Sequence, residues 1–428
     1  MLIKTKLERL TTCSMFRFTL LCLLTLVPTI HSAIAQQGEG TSSSQPKAPT
    51  FRLDTNKGSV KVPFELFQNN ILLQFRINNS RPIWFVFDTG AGLNVINENL
   101  ARKLGLAIGR NTTVEGLGGA TAGFVAKDVT ISLPGIEAYN QAMVAVPLDQ
   151  LSAVGREMGG LIGNNFIMNF VVEIDYANRT LTFYDRKVYN LSRERDALSL
   201  EARDGLPFVK VELSLTGRDT TADQFLIDTG SDRAFHVNRP FAEAHQLMAA
   251  LSGASTVEAV GEGTGGQTRF TEVRISSLRL GGHTINSPII SISQDKEGIG
   301  AGDQPGIIGT ELLRRFTLVL DYQAQRMLLK PNNYFNEPFE IDMSGLDLTT
   351  KLDDFKVIQV KNVRAHSPAD EAGLREGDVI VTVSGRPATD FGLDKLTKMF
   401  KQEGKEYLLR VKRDEKVVTA RLKMRRSL

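Results

Sequence analysis

Cysteine is almost missing from this 428-residue chain: the only two, Cys13 and Cys22, lie within the first 35 residues. If that segment is removed, neither a disulfide nor a thiolate metal site remains, and packing alone must hold the fold. Charge of one sign is missing too. The formal net charge is +3, and Lys4, Lys6, Arg9 and Arg17 against Glu8 supply it all, so residues 36–428 balance to zero. Nothing in that balance calls for nucleic acid or an anionic surface as partner. His236, His245, His283 and His366 show no metal-ligand spacing, and neither HExxH nor GxSxG occurs. Gly261–Gly266 fits GxGxxG, but no helix signal follows it and no βαβ unit surrounds it, which excludes a dinucleotide loop.

Long apolar runs are also missing. The longest, Phe18–Ile30, is 13 residues and contains Thr19, Thr25 and Pro28. A bilayer needs ~20 helical residues, so no span is expected in the mature chain. The run follows a basic segment and ends at Ala33-Ile34-Ala35, the pattern of a secretory signal cut after Ala35. The residues before Cys22 (Leu20-Leu21) are not the small ones of a lipoprotein site. Export to a periplasm or the medium is the expectation. Residues 36–58 begin with QQGEGTSSSQPKAPT and are expected to be a disordered linker.

What is present is a repeat. Asp88-Thr89-Gly90 returns as Asp228-Thr229-Gly230, 140 residues later, each after an apolar run (Ile83–Phe87; Phe225–Ile227). Leu161-Ile162-Gly163 returns as Ile307-Ile308-Gly309, and Asp175-Tyr176 as Asp321-Tyr322, both 146 residues later. Period-2 alternation dominates both halves, as in Val209–Leu215 and Val129–Leu133, with short helical signals near Ala101–Leu104 and Pro240–Leu247. The expected class is mostly β. Two β-barrel lobes occupy residues 59–186 and 205–331, with a charged linker at 187–204. A third, α+β unit at 340–426 has strands near 357–363, 379–383, 407–411 and 417–422 and an apolar helical stripe at Leu393, Leu396, Met399 and Phe400.

Each Asp follows a buried-looking strand and opens a turn whose glycine leaves backbone N–H groups free to meet a carboxylate. Two such turns face to face would hold carboxyls that share one proton, the pattern for activating water without metal, cofactor or covalent nucleophile.

With FDTGAG (87–92), GLIGNNFI (160–167), IDTGSD (227–232) and GIIGTELL (306–313), residues 60–331 resemble clan AA aspartic peptidases of the pepsin and retropepsin type. The resemblance implies retropepsin-like lobes in one chain, Asp88 and Asp228 as the dyad, and Thr89, Gly90, Thr229, Gly230, Gly163 and Gly309 as loop support. It also implies flap hairpins at 115–123 and 258–266, where Gly118, Gly119, Gly263, Gly265 and Gly266 meet a polypeptide substrate. Neither flap has the tyrosine of pepsin-type flaps, and the roles of Phe124 and Phe270 are open. Asn164 and Thr310 stand where retropepsins carry a bracing Arg; Arg233 is a local candidate to substitute for it, but reads rather as a solvated charge.

Residues 340–425, with SPADEAGLREGDVIVTVSG (367–385), resemble a PDZ domain of the bacterial protease-associated type. That resemblance implies that a peptide C-terminus adds as a strand, its carboxylate meeting the loop Gly345, Leu346, Asp347 and Leu348, although the Asp347 anion opposes a carboxylate. The function implied is an exported aspartic endopeptidase with a polypeptide-binding module. A non-catalytic peptide-binding or scaffolding protein on the same fold is the alternative.

Overall fold

The computed structural model describes residues 48–54, 58–116, 119–148, 156–189, 191–216, 220–263, 266–351 and 354–428. The expected signal segment lies outside them, as do Gly118 and Gly265. Among the described residues no helix is long and apolar enough to cross a membrane.

The chain is mostly β. Among the described residues each half builds one large sheet, of nine and ten strands, a third sheet of six strands joins the halves, and a fourth forms the C-terminal unit. Alternating apolar residues bury one face of the long strands; in Leu206–Ser214, for example, Val209, Val211 and Leu213 are buried while Lys210 is exposed. One hydrophobic core runs through both halves, and a separate one fills the C-terminal unit.

The sequence repeat becomes a spatial one in the joining sheet. Strand Val171–Asp175 pairs antiparallel with Phe316–Asp321, and Glu173 lies opposite Val319, its own repeat 146 residues on. An antiparallel pair centred on equivalent residues is a local twofold axis, which brings the two Asp loops face to face.

Two stretches expected to be linkers carry strands. Thr50–Leu53 pairs with residues 136–139, and Phe51 packs edge-on against Phe166 and Phe170. Between the lobes, Leu198–Ser199 pairs with Arg326 and Met327, and Glu201–Arg203 with 206–208. Polar composition hid both, because a short edge strand needs only one apolar face and a neighbour supplied from far away in sequence.

The segment 332–340, which leads into the C-terminal unit, is fastened to lobe 2 by a buried arginine. Arg315 donates to the Tyr334 carbonyl at 3.1 Å and to that of Glu337, and its guanidinium lies 3.6 Å from the Phe339 ring centre. In the unit itself the sheet runs 346–350, 358–363, 379–383, 406–413, 416–423, with the helix Gly392–Met399 beside its first strand. Leu346, Asp347 and Leu348, expected in a loop, belong to that first strand.

Candidate active site

Strand Ile83–Phe87 runs parallel to Gly160–Ile162, and the ladder continues as the Asp88 N–H donates to the Ile162 carbonyl at 3.0 Å. The second half repeats it with Thr220–Ile227 on Gly306–Ile308 and an Asp228 N–H to Ile308 bond, also 3.0 Å. Each Asp therefore stands at the end of a buried strand, where its backbone is fixed before its side chain is considered.

The loops are clamped across the twofold by Thr89 and Thr229. The Thr89 hydroxyl donates to the Ile227 carbonyl at 2.7 Å and accepts from the Thr229 N–H at 3.0 Å. The Thr229 hydroxyl donates to Phe87 at 2.7 Å and accepts from the Thr89 N–H at 3.1 Å. All four groups are buried, so each would cost ~1–3 kcal/mol if left unpaired.

The glycines set the approach. A Cβ on Gly90 would lie 2.5 Å from the Asp228 carboxyl carbon, and one on Gly230 would collide with the Asp88 carboxyl in the same way. Any side chain there would drive the carboxyls apart. Behind the loops, Gly163 and Gly309 sit where a Cβ would strike the carbonyls of Ala91 and Leu93, and of Ser231 and Arg233. That close approach lets the next residues support the loops. The Asn164 N–H donates to Ala91 at 2.8 Å, and the Thr310 N–H to Ser231 at 2.7 Å.

Asp88 and Asp228 are fully buried. Asp88 Oδ1 accepts the N–H groups of Gly90 and Ala91 at 2.8 and 3.1 Å, and Asp228 Oδ1 accepts that of Gly230 at 2.8 Å. Among the described residues Oδ2 of each takes no hydrogen bond. Burial, then the charge of Asp228, holds the Asp88 carboxyl well above the usual carboxylate range. Burial pushes Asp228 up to about 7. The pair therefore retains a proton in neutral solution, as adjacent carboxyls in a dry site must. Such a pair has a base and an acid side by side.

Residues that the repeat alone did not assign complete the support. Asn164 Nδ2 donates to the Thr89 carbonyl at 2.6 Å, and its Oδ1 accepts the Tyr322 hydroxyl, from the other half, at 2.7 Å. On the other side, the Thr310 hydroxyl donates to the Thr229 carbonyl at 3.2 Å with Tyr176 beside it. The recurrence of Asp-Tyr was the signal for these tyrosines, but sequence could not show that each reaches across to the opposite loop.

Arg233 overturns its expected exposure. It is buried and pairs with Glu272 on strand Gly266–Arg274; it also donates to Ser291 at 3.0 Å and lies 4.5 Å from the Phe270 ring centre. An isolated charge would not be stable there, and a carboxylate 39 residues away supplies the compensation.

The glycine-rich segments form hairpins, Ile108–Gly116 with Gly119–Leu133 and Thr256–Gly263 with Gly266–Arg274. Gly119, Gly263 and Gly266 pair at their described ends, Gly116 with Gly119 and Gly263 with Gly266. Phe270 is fully buried in lobe 2 and Phe124 half-buried, so neither is an exposed hairpin tip. Among the described residues no three His, Cys, Asp or Glu side chains group as metal ligands would.

The fold and these loops define a two-lobed acid-protease-like β-protein with a separate C-terminal unit. The family comparisons agree by segment: residues 73–166 match the aspartyl protease family and residues 341–424 the PDZ domain. The chain is thus aspartyl-protease-like with a C-terminal PDZ domain. A probable serine protease do-like from Buchnera aphidicola subsp. Acyrthosiphon pisum (strain APS) is 26% identical over 132 residues, 29% of this chain. The chain spans about a quarter of that relative's length, 26%. Among solved structures, the aspartic proteinase from Irpex lacteus has a TM-score of 0.45 at 12% identity, over 65% of this chain and 99% of that one. The photosystem II D1 C-terminal processing protease has a TM-score of 0.20 at 22% identity, over 22% and 25%.

Proposed function

We propose that this chain is an exported aspartic endopeptidase, its dyad made by Asp88 and Asp228 and its PDZ domain serving to hold polypeptide. The observation that carries the reading is the pair of buried carboxyls on clamped, repeated loops, with Oδ1 of each bound by its own loop and Oδ2 of each left without a donor among the described residues. The charged carboxyl removes a proton from water as the water oxygen attacks the peptide carbonyl carbon. The protonated carboxyl gives its proton to the carbonyl oxygen. The resulting gem-diol collapses as one hydroxyl gives its proton to the charged carboxyl, the C–N bond breaks, and the protonated carboxyl gives its proton to the nitrogen, which leaves as an amine and restores the singly protonated dyad. The basic and apolar start of the sequence, ending at Ala35, supports export.

The test is cleavage of an unbiased peptide pool across a range of pH. Asp88→Asn and Asp228→Asn should each lower the rate by about 10²–10⁴-fold, the usual size of a general acid–base contribution. Equal cleavage by wild type and either variant removes the dyad. Absence of cleavage at every pH favours a non-catalytic peptide-binding protein.

A further inference from the structure

The PDZ unit offers two separable features, an open strand edge and a loop at its end. Among the described residues, strand Leu346–Thr350 is the outermost of its sheet and pairs only with Ile358–Val363. Its outer edge can take an added strand through main-chain hydrogen bonds. The loop before it is expected to receive a terminal carboxylate on free backbone N–H groups, and here two of them, on Gly345 and Leu346, are engaged. The Gly345 N–H donates to the Asp342 carboxylate at 2.7 Å, and the Leu346 N–H to the Ser344 hydroxyl at 3.0 Å. The Ser344 hydroxyl in turn donates to both Asp342 oxygens, at 2.9 and 3.0 Å, and Ser344 is fully buried. Arg364 lies 3.9 Å from the same carboxylate.

The surroundings disfavour a second anion. Asp347 is buried in the strand and accepts from Asn362 at 3.2 Å. The strand and the Gly392–Met399 helix line a cavity of about 190 Å³ whose far wall is lobe 2, including Asp232 and Glu311. Seven carboxylate residues and three cationic ones line it. Asp232 Oδ1 is buried there without a hydrogen-bond partner among the described residues, and the turn Gln68-Asn69 closes one side, the Gln68 N–H donating to Asp394 at 3.0 Å.

We propose that Asp342 is an internal occupant of the carboxylate seat, so that the PDZ groove takes internal, extended polypeptide segments and not free C-termini. The added strand hydrogen-bonds the 346–350 edge along its length and needs no terminal charge. This rests on the reading above that the PDZ domain holds polypeptide, and its test is independent of cleavage.

The experiment uses the full chain carrying Asp88→Asn, to keep peptides intact, and measures fluorescence anisotropy with a set of unrelated peptides, each made as free acid and as C-terminal amide. Wild-type PDZ should bind the two forms within about two-fold, or favour the amide, because the Gly345 and Leu346 N–H groups are already engaged and give no charge-assisted bond to a terminal carboxylate. Asp342→Ala, or Ser344→Ala should the first fail to fold, should swing the ratio at least about five-fold toward the acid by freeing a seat donor. A preference of about ten-fold or more for the acid in wild type overturns the proposal, as does the absence of a swing in a folded variant. Failure of both forms to bind removes the groove as a peptide site, and the cleavage assay still judges the dyad separately.

Discussion

The loop that carries Asp88 is backed by hydrocarbon, and the loop that carries Asp228 by an ion pair. In lobe 1, Ala91, Val95, Val144 and Leu161 form a buried apolar cluster, with half-buried Leu93 packed on it. Five residues beyond Asp228, where lobe 1 has Leu93, stands Arg233, paired with Glu272 and Ser291. The clamping threonines and approaching glycines match in both halves, so the geometry of the carboxyl pair does not depend on what lies behind it. The difference concerns the hairpins. Glu272 is on the second hairpin, which is therefore tied to its Asp loop by charge-assisted bonds of fixed direction. Around Leu93 the contact is apolar and tolerates small shifts.

The largest effect should come from breaking the ion pair. Arg233→Met takes the arginine partner from buried Glu272 and should cost about 3–5 kcal/mol in urea unfolding, whereas Arg233→Met with Glu272→Leu should recover at least half. Leu93→Ala, the matching change in lobe 1, should cost less than about 2 kcal/mol, since the side chain is only half-buried. Equal costs in both lobes would erase the distinction.

Next in size is a pH effect. Asp228, at about 7, keeps in the folded chain a proton that the unfolded chain has already released. Its contribution to stability is therefore intact below pH ~4 and lost as pH rises toward ~7. The advantage of Asp228→Asn over wild type should grow across that window, reaching on the order of a few kcal/mol near neutrality, read from urea midpoints at matched pH. A constant difference would show that Asp228 titrates as an ordinary carboxyl.

Smaller again is the clamp. Thr89→Val and Thr229→Val should each cost about 1–3 kcal/mol, nearly equally, because each removes a mirror-related pair of bonds. Inequality beyond about 1 kcal/mol would mean that the unlike backing of the loops reaches the clamp. The least effect is expected from Tyr322→Phe, about 0.5–1.5 kcal/mol for one hydroxyl. Asn164→Ala should cost more, since it also removes the donor to Thr89. Calorimetry on the two variants checks that order.

The sequence by itself determined the doubling: two DTG turns, two apolar-Gly partners and two Asp-Tyr pairs at nearly constant spacing, together with the PDZ-like tail. These were legible because they are local, with backbone geometry demanding glycine and an apolar strand at fixed offsets. Only the tertiary structure decided which polar groups meet. Arg233 could be read as solvated until Glu272 lay beside it, Tyr322 had no role until it reached Asn164 158 residues away, and Thr50–Leu53 looked like linker until a neighbour paired with it. The physical reason is that burial makes a polar side chain depend on its partner, and sequence states the side chain without stating who comes to meet it.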